Sequence, residues 1–243
     1  MISPFGKPHT TIIIALGVIG TAALLAMNWW ISAGATALVA LLLLAFFRDP
    51  HRPVPTMKGH LVAPADGRVS SIHTVEHFEP LGGPAVCIRI FLSIFDVHVN
   101  RSPMHGRVAA IVRKPGKHLN ALKAESAELN ESVMIVLKDP MHDRIVGAVR
   151  QIAGAIARRI VCAVHEGEIL QRGQRYGMIK FGSTTELYLP NPDRVCLQVS
   201  QGRYVYGGST IVAIVSPPLG EELGARVQRA QERGPEEQAA SKG

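Results

Sequence analysis

Residues 177–190 read Gly177-Met178-Ile179-Lys180-Phe181-Gly182-Ser183-Thr184-Thr185-Glu186-Leu187-Tyr188-Leu189-Pro190, two apolar, strand-like runs pinched around a Gly-Ser pair. Glycine tolerates backbone angles that other residues resist, so the pair suits a tight bend between two strands. Such a bend can press the Ser183 hydroxyl against the carbonyl carbon of Gly182. An activated serine held there would attack its own backbone, turn the peptide into an ester, and split the chain by β-elimination. The new terminus is then a dehydroalanine and, after loss of ammonia, a pyruvoyl group. A pyruvoyl carbonyl condenses with an amine and accepts the electrons left by decarboxylation, as pyridoxal phosphate does elsewhere. Taken alone, however, Gly-Ser is an ordinary turn. A second pair, Gly208-Ser209-Thr210, also lies between apolar runs, and local pattern hardly separates the two.

Outward from this stretch the chain is patterned for strands. From His60 onward, short β-branched runs alternate with glycine turns, as at residues 67–73, 85–92, 133–137 and 194–199. This spacing predicts a mainly β (α+β) fold: a compact, mostly antiparallel, barrel-like catalytic domain over residues 60–218. Residues 120–129 and 151–160 could form short helices, although the second would read the same as a buried strand. Beyond Pro218 the chain turns polar, and 219–243 reads as a tail, frayed or disordered over 226–243.

Two motifs in this domain carry chemistry-bearing side chains. Ala63-Pro64-Ala65-Asp66-Gly67 places an acid in a Pro/Gly turn that leads into a strand, and Asp-Gly is also a common turn. In residues 91–106, alternation along a strand would put Asp96, His98 and Asn100 on one face and Phe95, Val97 and Val99 on the other. A lone histidine is usually structural. Three polar groups on one face, in a chain with a candidate self-cleaving serine, point to a site.

Composition narrows the partners. The 243 residues carry a formal net charge of +7, which suits an anionic partner such as nucleic acid or the cytoplasmic face of a membrane. Aromatics are 5% and do not interleave with Arg or Lys, which argues against nucleic acid. Cys87, Cys162 and Cys196 form no CxxC pair, so neither a disulfide framework nor a zinc site is indicated. Residues 11–47 contain no charged side chain and are interrupted only around residues 28–34. Two helices of ~16 residues fit a bilayer better than one helix of the whole length, so a membrane hairpin is expected. Lys7 and His9 precede it, and Arg48, His51, Arg52 and Lys58 follow. Cationic flanks on both sides place both ends, and the catalytic domain, in the cytoplasm. A shallow interfacial anchor is the alternative. Residues 1–10 are then a cytoplasmic flank, and 48–59 a basic, Pro-rich linker.

The double apolar segment, Phe46-Phe47-Arg48-Asp49-Pro50, Pro64-Ala65-Asp66-Gly67, Phe91 to Arg101 and Gly177 to Ser183 stand in that order. Together they resemble the short, bacterial and archaeal type of phosphatidylserine decarboxylase, over roughly residues 46–215. The resemblance implies a proenzyme cut between Gly182 and Ser183 into a β chain, 1–182, and an α chain, 183–243, that stay together. It implies a pyruvoyl cofactor made from Ser183, with no metal and no pyridoxal phosphate. That group would bind the amine of phosphatidylserine as a Schiff base and yield phosphatidylethanolamine in phospholipid biosynthesis at the cell membrane. A related serine lipid such as archaetidylserine is the nearest alternative substrate, and a homo-oligomer is compatible. The resemblance also favours Ser183 over Ser209 and sets Asp66 and His98 beside Ser183. Longer family members carry a second histidine where this chain has Arg101. His98 could therefore serve both cleavage and decarboxylation, or His105 could take one part, while Arg101, with Asn100 and His105, would contact substrate.

Two readings from other classes stand beside this one. Residues 166–174 resemble the turns of lipoyl and biotinyl domains, but no lysine hairpin is present. A non-catalytic envelope scaffold would treat Gly182-Ser183 as a turn. Neither rival predicts a split chain.

Overall fold

A computed structural model of the protein describes residues 1–117, 119, 126–154, 160–180 and 183–216. Two apolar helices come first, α1 (Lys7–Ala26) and α2 (Trp30–Phe46). Pro8 stands in the first turn of α1, where a missing N–H costs nothing, and the Thr10 and Thr11 hydroxyls donate to the Lys7 carbonyl. Asn28 takes a left-handed φ of 61° and reverses the chain, a conformation asparagine tolerates better than most residues. The turn is thus confined to residues 27–29, and the stretch expected to break the run is mostly helical. The helices pack closely where side chains are small: a Cβ on Gly17 would lie 2.8 Å from the Ala40 methyl. Ile12, Leu16, Val18 and Ile19 of α1, with Leu38, Leu41 and Leu42 of α2, stay exposed. The helix over Pro4–Ala26 is long and apolar enough to cross a membrane, and α2 is shorter, at 17 residues.

The remaining elements are strands β1 (His60–Val62), β2 (Gly67–Phe78), β3 (Gly83–Leu92), β4 (Val99–Arg101), β5 (Gly106–Lys114), β6 (Ser132–Lys138), β7 (Ile145–Ile152), β8 (Ile160–Cys162), β9 (Ile169–Leu170), β10 (Arg175–Ile179), β11 (Ser183–Pro190), β12 (Val195–Leu197), β13 (Tyr204–Val205) and β14 (Ile211–Val215). Of the stretch 120–129 expected to be helical, α3 (Ser126–Leu129) forms the end, and residues 120–125 lie outside the described residues. The other stretch with helical potential is strand at its start, since Gln151 and Ile152 end β7; residues 155–159 lie outside the described residues. The polar tail, 219–243, lies outside them too.

Every pairing between these strands is antiparallel. Eight strands form one curled sheet in the order β13-β2-β3-β11-β7-β6-β5-β9, and two three-stranded sheets, β1-β14-β12 and β4-β10-β8, close over it. The mainly β, barrel-like expectation is therefore met. Alternation along β11 explains the layering. Leu187 and Leu189 enter a core shared with Ile88, Ile90, Leu137, Tyr176 and Val212, whereas Tyr188 faces the other way and stacks on Phe78, with ring centroids 3.9 Å apart. On that second face Glu186 is buried between Arg89 and Arg150, at 2.7 and 2.6 Å, and accepts from the Tyr188 hydroxyl. A carboxylate so enclosed is held ionised by its two guanidinium neighbours, which outweigh its desolvation.

Candidate active site

Ser183 begins β11, the strand held between β3 and β7. Its backbone is opposite Leu92, the last residue of β3, and Thr184 is opposite both Phe91 and Ile152. Period-two alternation turns Ser183 to the same face as Thr185, Leu187 and Leu189, which is the core face. Ser183 is fully buried, and its hydroxyl has no hydrogen-bond partner among the described residues. Buried hydroxyls are normally satisfied, and one left alone is costly unless it is used. Gly182 lies outside the described residues, as does Phe181. Ser209 offers the contrast: half-buried in the turn between β13 and β14, it donates to the Tyr206 carbonyl at 3.4 Å.

The stretch 93–98 lies against this end of the sheet. It was expected to be a strand bearing Asp96 and His98 on one face, but β4 starts only at Val99 and the preceding residues form a turn. The turn is made by Asp96, whose carboxylate accepts from the Ser93 amide at 2.7 Å and from the Tyr204 hydroxyl at 2.6 Å. His98 follows it, with Nδ1 2.9 Å from the Asp96 carbonyl oxygen. A carbonyl only accepts, so Nδ1 carries the hydrogen and Nε2 carries the lone pair. Burial pushes the His98 pKa down to about 4, against the pull of Asp96, and Arg48 pushes the same way. The imidazole is therefore neutral near pH 7, as a general base must be. Phe46, the last residue of α2, tilts over its ring with centroids 4.3 Å apart.

Asp66 approaches from a third segment. The Val62 amide donates to the Pro103 carbonyl and the Arg101 amide to the Pro64 carbonyl, so residues 62–64 run antiparallel to 101–103. Residues 64–66 then bend towards β2 and carry the Asp66 carboxylate to the Gly207 turn. Gly67 makes the approach feasible: at φ +143° a Cβ there would lie 2.1 Å from the Phe91 carbonyl oxygen. The Asp66 carboxylate accepts from Arg52 at 2.5 Å and from the Gly207 amide at 2.8 Å. Its pKa is nonetheless raised, because desolvation outweighs the Arg52 cation and Asp96 repels it. Neither His98 nor Ser183 is among these hydrogen-bond partners, so no hydrogen bond among the described residues links the three.

The other site residues expected from sequence divide. Asn100 is buried in a network, donating to the Thr185 hydroxyl at 3.0 Å and accepting from Gln151 at 2.8 Å. This contact ties β4 to the Ser183 face of β11, one side-chain step (~7 Å) from Ser183. Arg101 holds the linker, with 2.6 Å to Asp49 and a further bond to the Pro50 carbonyl. His105 is exposed in the turn before β5, at the end of the sheet remote from Ser183. Register fixes that separation: Lys114, at the far end of β5, pairs with Ser132, which pairs with Ile152, which pairs with Thr184. Phe46, Arg52 and Tyr204 were not singled out as site residues by sequence reasoning. Only the Phe-Phe-Arg-Asp-Pro run hinted at the first, and no local signal marks the others. Among the described residues no group of three or more His, Cys, Asp or Glu could hold a metal ion.

The sequence profile described as phosphatidylserine decarboxylase matches residues 39–213. The chain is 45% identical over 185 residues to a phosphatidylserine decarboxylase proenzyme of Rhodopirellula baltica, covering 76% of each chain. It is 44% identical over 200 residues to one of Carboxydothermus hydrogenoformans, covering 82% of this chain and 91% of the relative. A third, from Nitratidesulfovibrio vulgaris, is 43% identical over 217 residues, covering 89% and 95%.

Proposed function

Since the chain belongs to the phosphatidylserine decarboxylase family and is thus a decarboxylase, we propose that it cuts itself between Gly182 and Ser183 and uses the resulting pyruvoyl group to convert phosphatidylserine to phosphatidylethanolamine. The observation that carries this reading is the Ser183 hydroxyl, fully buried and unpartnered at the head of β11. That orphaned nucleophile fits a residue whose side chain is consumed in maturation. The pyruvoyl carbonyl, once formed, supplies an electrophile for the substrate amine and a sink for the electrons released with carbon dioxide.

In the uncut chain, His98 Nε2 takes the hydroxyl proton as Ser183 Oγ bonds to the Gly182 carbonyl carbon and the peptide C–N bond breaks. The Ser183 amine receives a proton and the linkage is now an ester. Loss of the Cα proton then expels the Gly182 carboxylate, and water replaces the amine as ammonia leaves. Asp66, with its raised pKa, is suited to exchange protons in these steps. In decarboxylation His98 returns a proton to the carbon that has lost carbon dioxide. Asn100 keeps β4 in place against β11. Arg101 holds the linker through Asp49, and His105 is left without a part in the reaction.

The apolar hairpin lies in the cytoplasmic membrane with the catalytic domain on the cytoplasmic side, so the acyl chains of the substrate remain in the bilayer while the headgroup reaches the site. The cationic residues on both flanks support this placement. Intact-mass analysis of the purified protein is the test. Two chains are expected, the smaller beginning at residue 183 with a blocked, ketone-bearing terminus; one unbroken chain with an ordinary serine would overturn the reading.

A further inference from the structure

Beside the exit of α2 lies an open cleft of about 410 Å³, lined by His51, Arg52, Val54, Arg101, Gly173, Gln174 and Arg175. We propose that this cleft binds the phosphate oxyanion of a glycerophospholipid headgroup, resting on the reading above that the hairpin lies in a membrane. Charge makes the case first. Three guanidinium groups share two carboxylates: Asp49 pairs with Arg101 and Arg175, and Asp66 pairs with Arg52. One positive charge is left over, the complement of a phosphodiester.

Donor geometry points the same way. Arg175 lies against Asp49 as an ion pair on its Nε side without a formed hydrogen bond, and its terminal nitrogens have no partner among the described residues. Arg52 meets Asp66 through one terminal nitrogen and lies over the Tyr206 ring at 5.0 Å. Each guanidinium is thus pinned on one side by a buried carboxylate while keeping N–H groups to offer, an arrangement that lowers the ordering cost of gripping an anion.

Depth is the remaining argument. Arg175 is three residues along β10 from Met178, about 10 Å away, and Met178 packs with Phe46 and Phe47 where the hairpin meets the domain. The same edge carries an exposed apolar pair, Ile94 and Phe95, 48% and 79% accessible, and Arg48 donates to the Phe95 carbonyl. Apolar surface below and a cationic cleft ~10 Å above it match acyl chains and phosphates in a leaflet.

The test uses the full-length protein in dodecyl maltoside, titrated with dihexanoylphosphatidylglycerol and, separately, with inorganic phosphate, and followed by phosphorus NMR. Saturable lipid binding is expected, weakened about tenfold or more by Arg175→Gln, partly restored in Arg175→Lys, and stronger than binding of inorganic phosphate. His51→Gln, at an exposed position, should weaken it as well and provides a second variant should Arg175→Gln misfold. For dihexanoylphosphatidylserine turnover, Arg175→Gln should raise KM more than it lowers kcat. Lipid binding unchanged in both variants, or inorganic phosphate bound as tightly as the lipid, would overturn the proposal. Gel mobility of the same samples keeps the two readings apart. An uncut chain that still binds lipid through Arg175 would sink the self-cleavage and spare the cleft.

Discussion

Among the described residues nothing bonds to the Ser183 hydroxyl, and that sets an unusual expectation for its removal. Ser183→Ala should leave the chain whole and inactive and raise its stability by up to about 1 kcal/mol, because a buried hydroxyl without a partner is a cost. Gel mobility and denaturant unfolding of the uncut variant check the two halves; cleavage at that position in the variant would rule the serine out. His98 gives a pH dependence. With the folded pKa near 4, maturation that needs the neutral ring should hold down to about pH 5 and fall as pH drops through about 4. Stability is linked with a definite sign. The unfolded ring, at an ordinary pKa near 6.5, binds the proton first, so this contribution is complete above 6.5 and is lost as pH falls from 6.5 to 4, by ~3 kcal/mol. Chemical denaturation of His98→Gln across that range should lack this slope. At this scale the sequence picks out the candidates Ser183, Asp66 and His98 by residue type and motif. Arg52 and Tyr204 do not stand out, since their partners, Asp66 and Asp96, are brought to them only by the folded chain.

Among the elements, the junction between β2 and β3 depends on an absent side chain. Gly67 has no room for a methyl group against the Phe91 carbonyl, so Gly67→Ala should cost about 2–3 kcal/mol and slow cleavage by moving Asp66. Thermal unfolding and a cleavage time course read the two effects; unchanged values for both would show that the close approach is dispensable. The strands of the large sheet were legible because β-branched residues alternate within them. The turn at 93–98 was not. Phe95, Val97 and Val99 alternate with polar residues as a strand would, and what overrides the pattern is the bond from the Ser93 amide to the Asp96 carboxylate. The opposite error shortened the helical hairpin, because Trp30 to Gly34 looked like a break whereas Asn28 alone makes the turn.

Across the whole molecule, the hairpin and the catalytic domain are joined by more than a linker. Asp49 is buried between Arg101 and Arg175, and its backbone amide donates to the Met1 carbonyl. Asp49→Asn removes one charge from between a buried cation, Arg101, and a half-buried one, Arg175, and a loss of about 2–3 kcal/mol is expected. Limited proteolysis should then cut within residues 48–59, where the parent protein resists; equal resistance would mean that the clamp is not what holds the two parts together. This coupling was invisible in sequence, since Asp49 and Arg175 are far apart along the chain and neither sits in a recognisable ion-pair pattern. If the chain is cut as proposed, the central position of β11 bears on its life afterwards. A chain severed just ahead of it becomes two polypeptides that share one sheet, the smaller zipped to the larger along both edges. Such a pair first assembles while the chain is whole. Unfolded once, it would have to find its partner by diffusion, so recovery from denaturation should depend on concentration and the mature enzyme should persist by slow unfolding more than by equilibrium.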